Sequence, residues 1–177
     1  MKINTLLFFC LITIGFSSCK KDTNSDTSNN TISPIYPKIS GITFRDDFGQ
    51  LLGETDSSDW RIDDQWSQIE KNLFINSNFN SDCNFSNISV YCYPNPSPNR
   101  VEIAFCPEDT TLNIELNVVN QRFQKIYSKE FSNQNLLNLK FDSLAPNLLD
   151  TIFRVYYRIT NNDNCVRCGH GDVLRKK

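Results

Sequence analysis

The sequence has almost no excess of charge of either sign, no long apolar run and a single histidine. The formal net charge is −2 over 177 residues, which gives no electrostatic reason to bind nucleic acid. No apolar stretch reaches the roughly 18–20 residues that cross a bilayer as a helix. A polytopic helical membrane protein is therefore excluded, and coiled-coil and collagen-like repeats are absent too. There is no glycine-rich loop to cradle a phosphate and no basic patch interleaved with aromatics. With His170 as the only histidine, a serine–histidine arrangement lacks an evident acid and oxyanion site. No catalytic motif stands out, no cofactor is implied, and the chain reads as noncatalytic. What is present is a globular composition, 39% hydrophobic and 12% aromatic, of a size that suits one domain with a small appendage.

The N-terminus reads as an address. Lys2 gives a positive start, and Leu6 to Phe16 form an apolar core of about 11 residues, the length of a secretory h-region. Small residues follow in Phe16-Ser17-Ser18-Cys19. This run resembles a bacterial lipobox, with Phe16 where that family usually carries leucine and with the serine before the cysteine that is common in Bacteroidota lipoproteins. The resemblance implies a signal peptide over 1–18, cleavage before Cys19, and acylation (palmitate among the chains) of Cys19. Each buried methylene contributes about 0.8 kcal/mol, so two or three chains anchor stably. The plain alternative is an ordinary secretory signal with an incidental cysteine.

Residues 19–38 read as a disordered tether, since Lys20 to Asn30 contain no apolar residue. Surface-exported lipoproteins of this bacterial group carry a lysine and acids after the lipidated cysteine, and Lys21-Asp22 matches part of that pattern. The expected place is the outer membrane, lipid-anchored, facing the periplasm or the surface. Its expected contacts are the membrane through Cys19 and the lipoprotein processing and sorting machinery. A protein or glycan partner has no name in the sequence.

Residues 39–80 read as a Trp-containing lobe. Ile39 to Arg45 suggests a strand, Asp46 to Gln50 a turn, and Ser67 to Phe74 a short helix capped by Asp64 or Ser67. Asp56, Asp59, Asp63 and Asp64 invite a calcium reading, but their spacing matches no EF-hand loop, which leaves capping and turn formation. Asp56, Asp59, Trp60, Trp66, Glu70, Leu73 and Phe74 resemble the DxxDW and ExxLF segments of small Bacteroidota lipoproteins. Both tryptophans are expected in the core.

From residue 81 to 177 the pattern turns to period two. Ile88, Val90 and Cys92 share a face. So do Val101, Ile103 and Phe105, then Leu112, Ile114, Leu116 and Val118, and later Phe153, Val155, Tyr157 and Ile159. Shorter candidates are Phe123 to Tyr127, Leu136 to Phe141, and an edge strand at Gly171 to Leu174. The expected fold class is mainly β: a small Ig-like antiparallel sandwich with the polar face of each strand in solvent. Tyr91 and Tyr156 are then exposed aromatics available for binding.

Tyr93-Pro94-Asn95-Pro96, Val101 to Ile103 and Leu116 to Tyr127 resemble the C-terminal sorting domain of the type IX secretion system, an Ig-like sandwich that opens on YPNP. Phe153 to Tyr157 would match its penultimate strand. Asn120-Gln121-Arg122-Phe123 lacks the glycine of that family's central Asp-x-x-Gly. The resemblance implies a shared fold and, as an alternative function, a secretion cargo or accessory protein.

Seven cysteines are present. With Cys10 in the signal and Cys19 lipidated, Cys83, Cys92, Cys106, Cys165 and Cys168 remain, an odd number in a compartment that permits disulfides. Strand phase disfavours a Cys92–Cys106 bridge and leaves Cys83–Cys106 open. Cys165-Val166-Arg167-Cys168-Gly169-His170 is the most suggestive run. A glycine separates the second cysteine from the histidine, against haem attachment. Three ligands are one short of a zinc site. The Asn-rich surroundings suit a turn rather than a redox helix, and Gly169-His170-Gly171-Asp172 likewise resembles a turn leading into the last strand of the same small lipoproteins. A local disulfide between Cys165 and Cys168, or two idle thiols, is the main expectation; a thiol or metal-binding protein is the minor one.

Overall fold

Period-two alternation in the second half of the chain builds two antiparallel sheets that close over a shared apolar interior. The computed structural model describes residues 39, 41–63, 65–75, 88–106, 112–144, 151–161 and 166–176. Its elements are β1 (Arg61–Ile62), α1 (Gln68–Lys71), β2 (Ser89–Tyr93), β3 (Arg100–Cys106), β4 (Asn113–Val119), β5 (Lys125–Ser132), β6 (Leu136–Lys140), a 3-10 turn at Phe141–Ser143, β7 (Thr151–Thr160) and β8 (Val166–Arg175). One sheet has the order β1-β8-β7-β4-β5 and the other β2-β3-β6. The chain is mainly β, a small two-sheet sandwich with one short α-helix among the described residues, as its alternation predicts.

The expected inward residues form the core. Val90, Cys92, Val101, Ile103 and Phe105 of the small sheet meet Ile114, Leu116, Val155, Tyr157 and Ile159 of the large one, all buried. Phe105 stands edge-on to Tyr157 with ring centroids 5.3 Å apart. Burying each such side chain contributes about 1.5–3 kcal/mol.

Several expectations change. The strand predicted over Ile39 to Arg45 reduces to isolated bridges of Arg45 with Leu51 and Asn95. The helix cap is Ser67, in a full capping box with Glu70; Asp64 lies outside the described residues. The final strand is longer than expected, and β1 pairs with it only at Gly169 and His170, so an open strand edge remains at 171–174 on that side. It begins at Val166, ends at Arg175 and lies between β1 and β7. Residues 39–75 also do not stand apart. β1 extends the large sheet through Arg61↔His170 and Ile62↔Gly169, and Trp60 belongs to the main core. All described residues fall within one unit, Ser33–Lys177.

The largest departure concerns the second face of the large sheet, which the alternation predicts to be solvated. Glu115, Asn117, Arg154, Tyr156 and His170 are all buried there. The segment around α1 covers them: Trp66, Leu73 and Phe74 pack with Tyr156, Val119, Val166 and Cys168 as a second apolar cluster. Lys125 Nζ donates to the Leu73 carbonyl at 2.9 Å and ties the segment to β5. Tyr156 is therefore not an exposed binding aromatic. It is fully buried, edge-on to Trp66 at 5.4 Å.

Candidate functional site

The loop before β1 places its acids where backbone donors need acceptors. Asp56 Oδ1 accepts from the Ser58 backbone at 2.7 Å and its hydroxyl at 2.6 Å, an Asx-type turn. These bonds hold the Asp56 carboxyl below its usual range. Asp63 Oδ1 accepts from Gln65 N at 3.0 Å. Asp59 reaches further: Oδ2 accepts from Thr43 N at 2.7 Å and Oδ1 from Asp172 N at 2.6 Å. Burial outweighs these bonds and pushes Asp59 up to about 6. Turn formation thus accounts for Asp56 and Asp63, while Asp59, expected to do the same, instead joins its loop to Thr43 and to β8.

Asp172 anchors a second set of bonds. Arg154 faces it across the β7–β8 register and binds it two-fold, Nε to Oδ1 at 2.8 Å and Nη2 to Oδ2 at 2.7 Å. Both side chains are buried. Burial works against the guanidinium charge, but the Asp172 carboxylate prevails and the Arg154 pKa rises. The YPNP stretch meets the same place. Asn95 is fully buried; its Nδ2 donates to the carbonyls of Asp172 at 2.9 Å and Thr43 at 3.3 Å, and its Oδ1 accepts from Leu174 N at 2.9 Å. Its backbone pairs with Arg45 in both directions at 2.9 Å. Ser97 N then donates to Leu174 O, and Lys176 N to Ser97 O, each at 3.0 Å. In this fold the motif is a clasp holding the start and the end of the described chain together.

The Cys168–Gly169–His170 run lies inside β8, not in a turn. Gly169 and Gly171 are there because rings lie on them. A Cβ at Gly171 would run into the Trp60 ring, and one at Gly169 into the Arg61 backbone carbonyl and the Tyr157 ring. That close approach, and not a turn, explains the two glycines. His170 and Cys168 point to the covered face, beside Tyr156 and Arg158 respectively. His170 Nδ1 has no hydrogen-bond partner among the described residues; Asp63 Oδ2 is 3.8 Å away. Burial, helped by Arg154, lowers its pKa and favours the neutral ring. Tyr156 donates to Glu70 Oε1 at 3.0 Å. Burial and that carboxylate raise the phenol pKa. No group of three or more metal-ligating side chains occurs among the described residues. Cys19, Cys83 and Cys165 lie outside them, so the expected lipidation of Cys19 and the expected pairing of Cys165 with Cys168 fall on residues outside the described ones. Cys92 is buried and Cys106 exposed, both as free thiols. Their register partners are Ile103 and Ser89, so strand phase keeps them apart.

Among the described residues, two of the open surfaces carry apolar side chains suited to a partner. On the outer face of the small sheet, Tyr91, Ala104 and Leu136 form one cross-strand row. Tyr91 is 37% and Leu136 53% exposed, and Phe48 on the neighbouring hairpin is 86% exposed. Tyr91, Ala104, Phe48 and Leu51 line one shallow depression. The second surface is the seam between the edge strands β1 and β2, a cleft of about 490 Å³. Trp60, Ile62 and Val90 form its apolar part, with Arg45, Arg167 and Asp59 also at its walls. The Arg45 guanidinium lies 4.9 Å from the centre of the Tyr91 ring, a cation–π geometry.

The sequence pointed to Tyr91 correctly as exposed. It did not reveal Asn95, Asp59 or the Arg154–Asp172 pair as partners, because their contacts span up to 113 residues. The local signals were two, the acid in Asp59-Trp60 and the asparagine inside YPNP. No protein-family model matches this chain, and no curated protein matches it either.

Proposed function

We propose that this chain is a lipid-anchored cell-envelope protein whose β-sandwich is a noncatalytic interaction module. The anchoring half of the reading rests on the apolar segment ending in Phe16-Ser17-Ser18-Cys19 and on the polar stretch that follows. The interaction half rests on one observation, the exposed row Tyr91–Ala104–Leu136 with Phe48 and Leu51 beside it. Apolar side chains gathered on one open face mark a contact surface more often than isolated ones do. Several ionisable groups, in contrast, hold segments together: buried Asp59 with two backbone donors, buried Arg154 with Asp172, and half-buried Glu70 with Ser67 and Tyr156.

The test is the mass of the mature protein after detergent extraction, with Cys19→Ala beside it. A diacyl or triacyl chain beginning at Cys19, absent in the variant, is the expected result. An unmodified chain overturns the anchor. A photo-crosslinker at Leu136 then tests the surface: an envelope adduct that disappears in Tyr91→Ser is expected, and an adduct pattern indifferent to Tyr91 counts against it.

A second reading, a type IX secretion cargo or accessory protein, draws on the YPNP stretch clasped to β8. The full chain without its lipid site, produced in a strain with and without that machinery, separates the two. Machinery-dependent appearance in the medium favours cargo.

A further inference from the structure

We propose that the exposed edge of β6 pairs with β6 of a second copy of this chain, antiparallel about a two-fold axis at Asn138, so that two small sheets join into one. This pairing needs neither the lipid anchor nor a partner on the outer-face row. The hydrogen-bond phase shows which backbone groups are free. Phe105 N donates to Asn135 O, and Phe141 N to Asn99 O, each at 2.8 Å. Bonded pairs alternate along an antiparallel ladder, so within the β3–β6 register Leu137 and Leu139 face β3. Leu136, Asn138 and Lys140 turn their N–H and C=O groups away from it, and all three residues are exposed. Such a row of groups is a template for an added strand.

The other edges among the described residues are closed or guarded. On β2 the same phase turns Val90 and Cys92 outward, and both are buried. β1 has only two residues. Beyond it, the outward groups of Asp172 and Leu174 on β8 are met by Asp59, Asn95 and Ser97. β5 is open at Ser128, Glu130 and Ser132. Its register, however, shifts at Val118/Val119, and Lys129 sits on the core side opposite Leu116, over the Phe131 ring at 4.8 Å. A broken register and an inward charge both discourage edge pairing. β6 has a regular register, no proline and two leucines on its inner face. Its sequence also fits its own copy. The two-fold sets Asn138 against itself, Leu137 against Leu139 of the second copy, and Leu136 against Lys140 of the second copy. Each outward N–H and C=O of the strand then gains a partner. No like charges meet, and a Lys140 stem covers Leu136, which is 53% exposed in the single chain. Five residues a side fall short of a standard interface, so the pairing is weak and depends on concentration.

The test measures amide hydrogen exchange by NMR on the full chain, in detergent with micelles in excess over protein. From about 10 µM to about 1 mM chain, the Leu136, Asn138 and Lys140 amides are expected to slow at least about threefold. Asn138→Pro removes an outward N–H and spares the bonds to β3. It is expected to abolish the concentration dependence and leave the core amides unchanged. The register is read with a charge at the position facing Lys140 of the second copy. Leu136→Glu is expected to associate at least about fivefold more tightly than Leu136→Lys, because opposite charges then meet in place of like ones. Exchange that ignores concentration overturns the proposal. So does slowing that survives in Asn138→Pro, and so does slowing confined to Ser128 and Glu130 of β5. Equal association of the two Leu136 variants overturns it as well.

Discussion

The Asn95 side-chain amide donates to the Asp172 carbonyl at 2.9 Å, across 77 residues of chain. Its oxygen takes the Leu174 N–H two residues further along β8. Asn95 thus spans a stretch of strand edge that no neighbouring strand pairs at that point. Replacing it by alanine would leave buried donors and acceptors without partners. Asn95→Ala is expected to lower stability by about 2–4 kcal/mol, seen as a fall in the urea midpoint with the slope unchanged. A loss within experimental error would mean that water takes over the three bonds.

The Arg154–Asp172 pair makes a sharper prediction because it is buried on both sides. Removing one partner strands the other charge. Asp172→Ala is expected to cost about 3–5 kcal/mol, and Arg154→Leu a similar amount. The double variant Arg154→Leu/Asp172→Leu is expected to recover a large part of either loss, since no lone charge remains. Equal, additive losses in a denaturation cycle would show that the two residues act independently.

How much of this was legible beforehand depends on the range of the interaction. The phase of β2, β3, β4 and β7 was readable because alternation is local: Val90 and Cys92 had to share a face with each other. The cap was narrowed to Asp64 or Ser67 for the same reason, and the structure shows Ser67 in a capping box with Glu70. The fate of the polar face was not. Arg154, Tyr156 and Arg158 alternate as solvent-facing residues do, and only the tertiary docking of Trp66, Leu73 and Phe74 buries Tyr156. Gly169 and Gly171 misled in the same way. Glycine a few residues after an Asn-rich stretch signals a turn locally, while here it makes room for Tyr157 and Trp60.

The free thiols should differ sharply in reactivity. Cys92 is fully buried, and burial raises its pKa well above the usual thiol value; Cys106 is exposed at the end of β3. A thiolate-directed reagent is expected to label Cys106 in the native protein and Cys92 only after unfolding. Peptide mapping after a native and a denaturing pulse reads both, and Cys106→Ser confirms the assignment. Native labelling of Cys92 at a comparable rate would mean that the β2 edge opens.

Asp59 gives the fold a pH dependence of defined sign. Its carboxyl titrates at about 6 in the folded chain, against 3.8 for the ordinary side chain, chiefly because burial disfavours the charge. The folded state therefore holds a proton between those values that the unfolded state has released. Stability falls as pH rises where the native state binds more protons. The Asp59 contribution is greatest below pH 4 and is lost by about pH 6, a change of about 3 kcal/mol at 1.36 kcal/mol per unit. His170 acts in the opposite direction: its lowered pKa removes stability as pH falls below 6.5. The comparison must therefore be between variants. The stability difference between wild type and Asp59→Asn is expected to favour wild type more at pH 4 than at pH 7, by up to about 3 kcal/mol. Asparagine loses one acceptor at every pH, which adds a constant offset and leaves the slope intact. A difference that stays flat across this range would place the Asp59 titration near its unperturbed value and remove burial as the governing effect.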